Sequence, residues 1–121
     1  MAPGPVRPIA YPVARLKRRA EFLRVAGKGR KAPVHGLVLQ ALIRDDDGPA
    51  RIGFTVTKKV GNAVVRNRTK RRLREVARLL LRDAPARGVD LVLIGRDTTR
   101  SRPFDLLMGD LRRALDKVGA R

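Results

Sequence analysis

The sequence predicts an α+β fold, one small β-sheet packed with helices. Three observations carry this. Two stretches near the middle alternate their side chains with period two, residues 89–95 form an apolar run interrupted only by Asp90, and three further stretches repeat apolar residues at helical spacing. At 121 residues the chain is long enough for one domain with a single modest core.

Taken in order, residues 1–13 contain Pro3, Pro5, Pro8 and Pro12, which disfavour helix and strand alike. They read as a flexible tail before a domain at 14–121. "ARLKRRAEFLRVAG" puts Leu16, Ala20 and Leu23 on one helical face, with Gly27 as a natural stop. Phe22 points away from that face, and Ala26 follows it one turn on. In "VHGLVLQALI", Leu37, Leu39, Ala41 and Ile43 alternate with Val38, Gln40 and Leu42; in "RIGFTVT", Ile52, Phe54 and Val56 alternate with Gly53, Thr55 and Thr57. The intervening "RDDDGPA" has the residues of a hairpin connection. Val65, Thr69, Leu73, Val76 and Leu80 then form a helical stripe that could lie on a sheet, with Asn62 as N-cap. "VDLVLIG" at 89–95 reads as a strand covered on both faces. Phe104, Leu107, Leu111, Leu115 and Val118 form a last helical stripe behind Ser101 and Pro103. The coarse order is helix, strand, strand, helix, strand, helix, with a short extra strand near Lys31–Val34.

Charge narrows the function. The chain has 29 Lys and Arg against 11 Asp and Glu, a formal net charge of +18, which predicts a polyanionic partner. The absence of cysteine excludes disulfides and thiolate metal sites and fits a reducing, cytoplasmic setting. No apolar run approaches the roughly 18 residues of a membrane span, and residues 1–13 lack the apolar core of a signal peptide.

The charge concentrates in "KKVGNAVVRNRTKRRLREVAR", residues 58–78, with nine basic residues and one acid, Glu75. With the apolar stripe turned to the sheet, Asn67, Arg71, Arg74 and Arg78 project outward; Arg66 and Lys70 lie on one flank, Arg68 and Arg72 on the other. Four like-charged pairs fall at i,i+4 and together cost about 1–2 kcal/mol. A merely solvated face normally mixes signs. Arginine grips phosphate oxygens in pairs and stacks on bases. Lys58 and Lys59 leave the end of a strand, Gly61 permits a tight turn, and the helix N-terminus that follows offers amides to an anion. Nucleic acid is therefore the expected ligand.

The residues hold no matched catalytic constellation. His35, the single histidine, suits a surface or RNA-contacting role. Asp45, Asp46 and Asp47 point different ways and read as a solvated turn. Ser101 has no partner spaced to activate it.

"RIGFTVTKKVGNAVVRNRTKRRLREVAR", residues 51–78, closely resembles the protein subunit of bacterial ribonuclease P: a strand ending in Lys-Lys, then Gly-Asn-Ala-Val, then Arg-Asn-Arg opening the basic helix. "RLKRRAEFLRV", "VDLVLIGR" and the amphipathic C-terminal helix extend the resemblance over about residues 15–118. It implies a ribosomal protein S5 domain 2-like fold with a left-handed βαβ crossover. It also implies participation in removal of the 5′ leader from precursor tRNA, an endonucleolytic hydrolysis performed by a large ribonuclease P RNA with Mg2+ bound mainly by that RNA. The small protein would bind this RNA and hold the leader in a cleft between its first helix and the sheet. The matching RNA-binding positions are Lys58, Lys59, Asn62, Arg66, Asn67, Arg68, Lys70, Arg71 and Arg74; those of the cleft are Arg18, Phe22, Ala26 and Gln40. Where many relatives carry further cleft aromatics this chain has Ala26, Leu37 and Gln40, so its cleft is expected to rely less on stacking and more on charge. A ribosomal protein or RNA chaperone would use the same helix, and an autonomous nuclease would need chemistry that the residue inventory lacks.

Overall fold

The alternating stretches and the apolar run become strands of one five-stranded sheet in a computed structural model that describes residues 13–83 and 86–120. The elements are β1 (Val13–Arg15), α1 (Arg19–Lys28), β2 (Arg30–Pro33), β3 (Leu37–Ile43), β4 (Ala50–Thr55), α2 (Ala63–Asp83), β5 (Val89–Gly95) and α3 (Phe104–Val118). The α+β class holds, and the short extra strand is present as β2. Residues 1–12 of the proposed tail lie outside the described residues. Val13, placed in that tail, instead opens β1, which runs parallel to β4.

The sheet order is β1-β4-β5-β3-β2. β3 and β4 are therefore not the two arms of a hairpin: β5 lies between them, antiparallel to β3 and parallel to β4. The physical reason is in β5 itself. Apart from Asp90 it is apolar, and it is buried except at Ile94, so the centre of the sheet is where it loses most contact with water. The turn residues at 44–49 instead clasp the approach to β5. Arg44 N donates to the Gly88 carbonyl at 2.7 Å and Gly88 N to the Gly48 carbonyl at 2.8 Å. Gly88 has φ 62°, and a Cβ there would stand 2.3 Å from the Asp46 carbonyl oxygen, so the clasp requires glycine.

Alternation along the strands gives the sheet two covered faces. Leu37, Leu39, Ile52, Leu91 and Leu93 meet the stripes of α2 and α3 in the main core, together with Leu73, Val76, Leu80, Leu107, Leu111 and Leu115. Val92 points the other way, into a smaller cluster with Leu16 and Val25, against which Phe22, Leu42 and Ile94 pack. The stripe predicted for α2 is buried from Thr69 to Leu80, with Val65 half-buried, and is widened by Ala77 and Leu81; Thr69 gives its hydroxyl to the Val65 carbonyl at 2.8 Å.

Two stripes differ from expectation. α1 begins at Arg19, so Leu16 precedes it and packs as a loop residue, and the helix buries Val25 and half-buries Phe22 while Leu23 stays exposed. A helix only ten residues long takes its facing from its anchor on the sheet, and that anchor starts at Glu21. In α3, Pro103 rather than Ser101 precedes the first turn, and Phe104 is turned outward, 37% exposed.

Candidate nucleic-acid interface

β4 ends at Thr55, and the chain turns through Lys58–Gly61 into α2, with Val60 N on the Thr57 carbonyl and Gly61 N on the Lys58 carbonyl. Asn62 caps the helix: its Oδ1 accepts from Val65 N at 3.0 Å. The turn is tight against the helix, since a Cβ at Gly61 would come 2.8 Å from a Val65 methyl. Lys58 and Lys59 are exposed on it.

Along the helix the cations divide by task. Asn67, Arg68, Arg71 and Arg74 are exposed. Arg66 is half-buried and donates from Nη1 to the Gly61 carbonyl at 3.0 Å, so it braces the turn as well as facing outward. Arg72 donates to the carbonyls of Arg100 and Arg102 at 2.7 and 2.5 Å, and its guanidinium lies 5.9 Å from the centre of the Phe104 ring. Arg78 pairs with Glu75 at 2.6 Å, which removes the lone acid of the segment from the field. Sequence spacing places Arg72 on a flank but does not show that the flank is occupied by the 96–103 loop.

The other flank opens onto a groove. β1 is only three residues long and stops opposite Ile52, so the next part of β4 is not covered by a strand. Between α1 and α2, at this uncovered edge, Phe22, Phe54 and Lys70 line two adjoining depressions; Lys17, Arg19 and Leu23 lie at the outer one, Arg15, Gly53 and Arg74 at the inner. Phe22 lies directly on Gly53, where any Cβ would meet its ring at 2.5 Å. The Arg74 guanidinium stands 5.9 Å from the Phe54 ring centre. The structure thus brings Phe22 together with Lys70 and Arg74. Arg18 at the N-cap of α1, exposed Ala26 and buried Gln40 on β3 do not line this groove. Phe54 and Leu23, which do, gave no sequence signal because their spacing reads as core.

The α1 wall is fixed by charge. Glu21 Oε1 accepts from the amides of Lys17 and Arg18 at 2.8 and 2.9 Å, while Oε2 pairs with Arg51 at 3.0 Å. Arg51 holds Asp90 through two bonds of 2.8 and 2.7 Å, and Arg44 reaches the same buried carboxylate at 2.7 Å. The two backbone amides, then Arg51, keep the Glu21 carboxyl below its ordinary value. Burial alone pushes Asp90 up, but Arg51 and Arg44 together outweigh it and leave its carboxyl lowered. Arg44, followed by the Gly48 amide, holds Asp46 at about 2. Asp46 is thus part of a clasp at an exposed turn. Asp110 is likewise buried between Arg102 and Arg113. These acids are neutralised within the fold, so the outer face of α2 keeps its positive field.

That field predicts a response to small anions. Sulfate or phosphate binding the native state alone should raise the melting temperature progressively with concentration, beyond the effect of chloride at equal ionic strength. An equal response to both salts would count against α2 as an anion site.

The sequence profile of the family described as Ribonuclease P matches residues 12–119. The ribonuclease P protein component of Gluconacetobacter diazotrophicus is 72% identical over 107 residues, covering 88% of this chain and 92% of the relative. That of Paramagnetospirillum magneticum is 49% identical, covering 88% and 83%. Among solved structures, the RNase P protein of Staphylococcus aureus superposes with a TM-score of 0.72 at 27% identity, covering 88% of this chain and 95% of that one. The RNase P protein of Thermotoga maritima gives 0.69 at 28%, covering 82% and 92%.

Proposed function

The chain belongs to the ribonuclease P protein family, and on that premise we propose that it binds the catalytic RNA of ribonuclease P and the 5′ leader of precursor tRNA, assisting endonucleolytic removal of the leader in the cytoplasm. The observation that carries this reading is the outer face of α2, where Asn67, Arg68, Arg71 and Arg74 are exposed together and the one nearby acid is tied to Arg78. In that role Lys58, Lys59, Arg68 and Arg71 take phosphates of the folded RNA. Lys70 and Arg74 face a single strand entering the groove, whose bases can rest against Phe22 and Phe54. Gln40 and Arg18 belong to the wider α1 side of the cleft.

The chemistry is assigned to the RNA. Magnesium, held mainly by that RNA, supplies water activation and stabilisation of the leaving oxygen. Asp90 and Asp110 are engaged by arginines within the fold.

Mixing the protein, a ribonuclease P RNA and precursor tRNA at low magnesium tests the proposal. Cleavage at the leader junction should need the RNA and be strongly stimulated by the protein. Cleavage by the protein alone would indicate a nuclease, and no stimulation would indicate a general RNA-binding protein.

A further inference from the structure

Phe104 is out of place for a core residue. It heads the apolar stripe of α3, yet its ring is 37% exposed, whereas Leu107, Leu111 and Leu115 below it are fully buried. Burying a phenylalanine side chain is among the larger apolar gains available to a small domain. The ring is nevertheless held outward in a definite setting. Arg72 approaches it at 5.9 Å, and that guanidinium is itself fixed by the carbonyls of Arg100 and Arg102. The mount is rigid at the next level too: Arg102 is locked onto buried Asp110, and Thr99 ties the loop to the 34–36 turn through its bond to the Gly36 carbonyl at 2.6 Å.

The surroundings are basic. Arg68 lies one turn before Arg72 on the same flank of α2 and is exposed, as is Arg100 on the loop. Arg96 is exposed as well, with Nη1 on the Val34 carbonyl. Against these stand two exposed acids, Asp97 and Asp105. An aromatic ring beside one guanidinium, with further exposed arginines on the same side, suits a nucleobase with its phosphates alongside. A second copy of this chain is a poor occupant, because each copy carries a net charge of +18.

We infer that Phe104, beside Arg72 and in a region that also carries exposed Arg68 and Arg100, is a second RNA contact, on the flank of α2 opposite the groove, where an unpaired base of the ribonuclease P RNA stacks. The inference rests on the proposed RNA-binding function and adds a place and a mode of contact to it. Stacking and phosphate contacts differ in their salt signature: loss of a stacked base lowers affinity without changing counterion release, whereas loss of a phosphate contact lowers the slope.

The test uses the full chain and ribonuclease P RNA. Affinity is measured for Phe104→Ala, Phe104→Leu and Phe104→Trp over a salt series, alongside chemical probing of base reactivity in each complex. Phe104→Ala and Phe104→Leu should weaken binding roughly 5- to 150-fold with an unchanged log–log salt slope, and Phe104→Trp should retain it. One RNA base protected by the wild type should become reactive with the first two. The leucine variant keeps the apolar bulk, so its loss cannot be put down to unfolding. Affinity within twofold of wild type for both, with no change in base reactivity, overturns the inference. If Arg68, Arg71 and Arg74 variants still lose affinity in that case, RNA binding stands and only the platform falls. If the leucine variant instead abolishes a self-association seen by sedimentation and leaves RNA affinity intact, the surface joins protein copies, and the inference is again overturned.

Discussion

Asp90→Ala should lower folding stability by about 3 kcal/mol, a large share of the 5–15 kcal/mol typical of a domain. The carboxylate is 2% exposed and is the shared acceptor of Arg44 and Arg51, whose side chains remain 16% and 30% exposed. Removing one partner of a buried pair costs about 3–5 kcal/mol, and the low end applies because both arginines keep some access to water and a second acid each, Asp46 and Glu21. Chemical denaturation with the midpoint and slope both recorded checks this. Glu75→Gln, which breaks the exposed pair with Arg78, should leave stability nearly unchanged. The pH dependence follows the same network. Because the folded carboxyls of Asp90 and Glu21 are lowered, their contribution is complete above the ordinary carboxylate range near 4 and is lost as pH falls below it. Wild-type stability should therefore drop steeply on acidification below about pH 4, and Asp90→Ala should flatten that drop. A variant as stable as wild type with the same acid limb would show that the network is not holding the sheet.

The second large effect runs in opposite directions for binding and stability. The combined change of Arg68, Arg71 and Arg74 to alanine should weaken binding to ribonuclease P RNA about a hundredfold at 0.15 M salt and make the log–log salt slope shallower by about 2, for the phosphates held by Arg68 and Arg71. The same change removes cation pairs at 68 with 72, 70 with 74, and 74 with 78, so the free protein should gain up to about 1 kcal/mol. Arg66 is excluded from this variant because its bond to the Gly61 carbonyl gives it a share in the turn. Titrations at several salt concentrations, paired with melting curves, measure both halves. An unchanged slope would remove α2 from the interface, whatever happens to stability.

Elements whose burial pattern repeats along their own length were legible in the sequence. The α2 stripe, the doubly buried β5 and most of the α3 stripe needed no partner to be recognised. Sheet order was not legible, because the 44–49 turn has the composition of a hairpin whether its arms pair with each other or admit a third strand; its partner, Gly88, lies about forty residues away. β1 was missed since three residues cannot show a period, and prolines precede them. The facing of α1 was misjudged for a related reason: Leu23 and Phe22 are equally apolar, and the choice between them is made by Glu21 gripping Arg51 on a distant strand. At the interface, the basic face of α2 could be read from spacing alone. The groove could not, since it depends on where β1 stops and on Phe54 lying beneath Arg74. Nor could buried Asp90 and Asp110 be told from solvated acids in a chain where arginine is everywhere.

α2 is also the connection between β4 and β5, two neighbouring parallel strands of the sheet. A polyanion gripping that helix is thus attached to a covalent link inside the core rather than to an appendage. Its buried stripe is part of the main core, so tension from the bound RNA would be carried straight into the most protected part of the molecule.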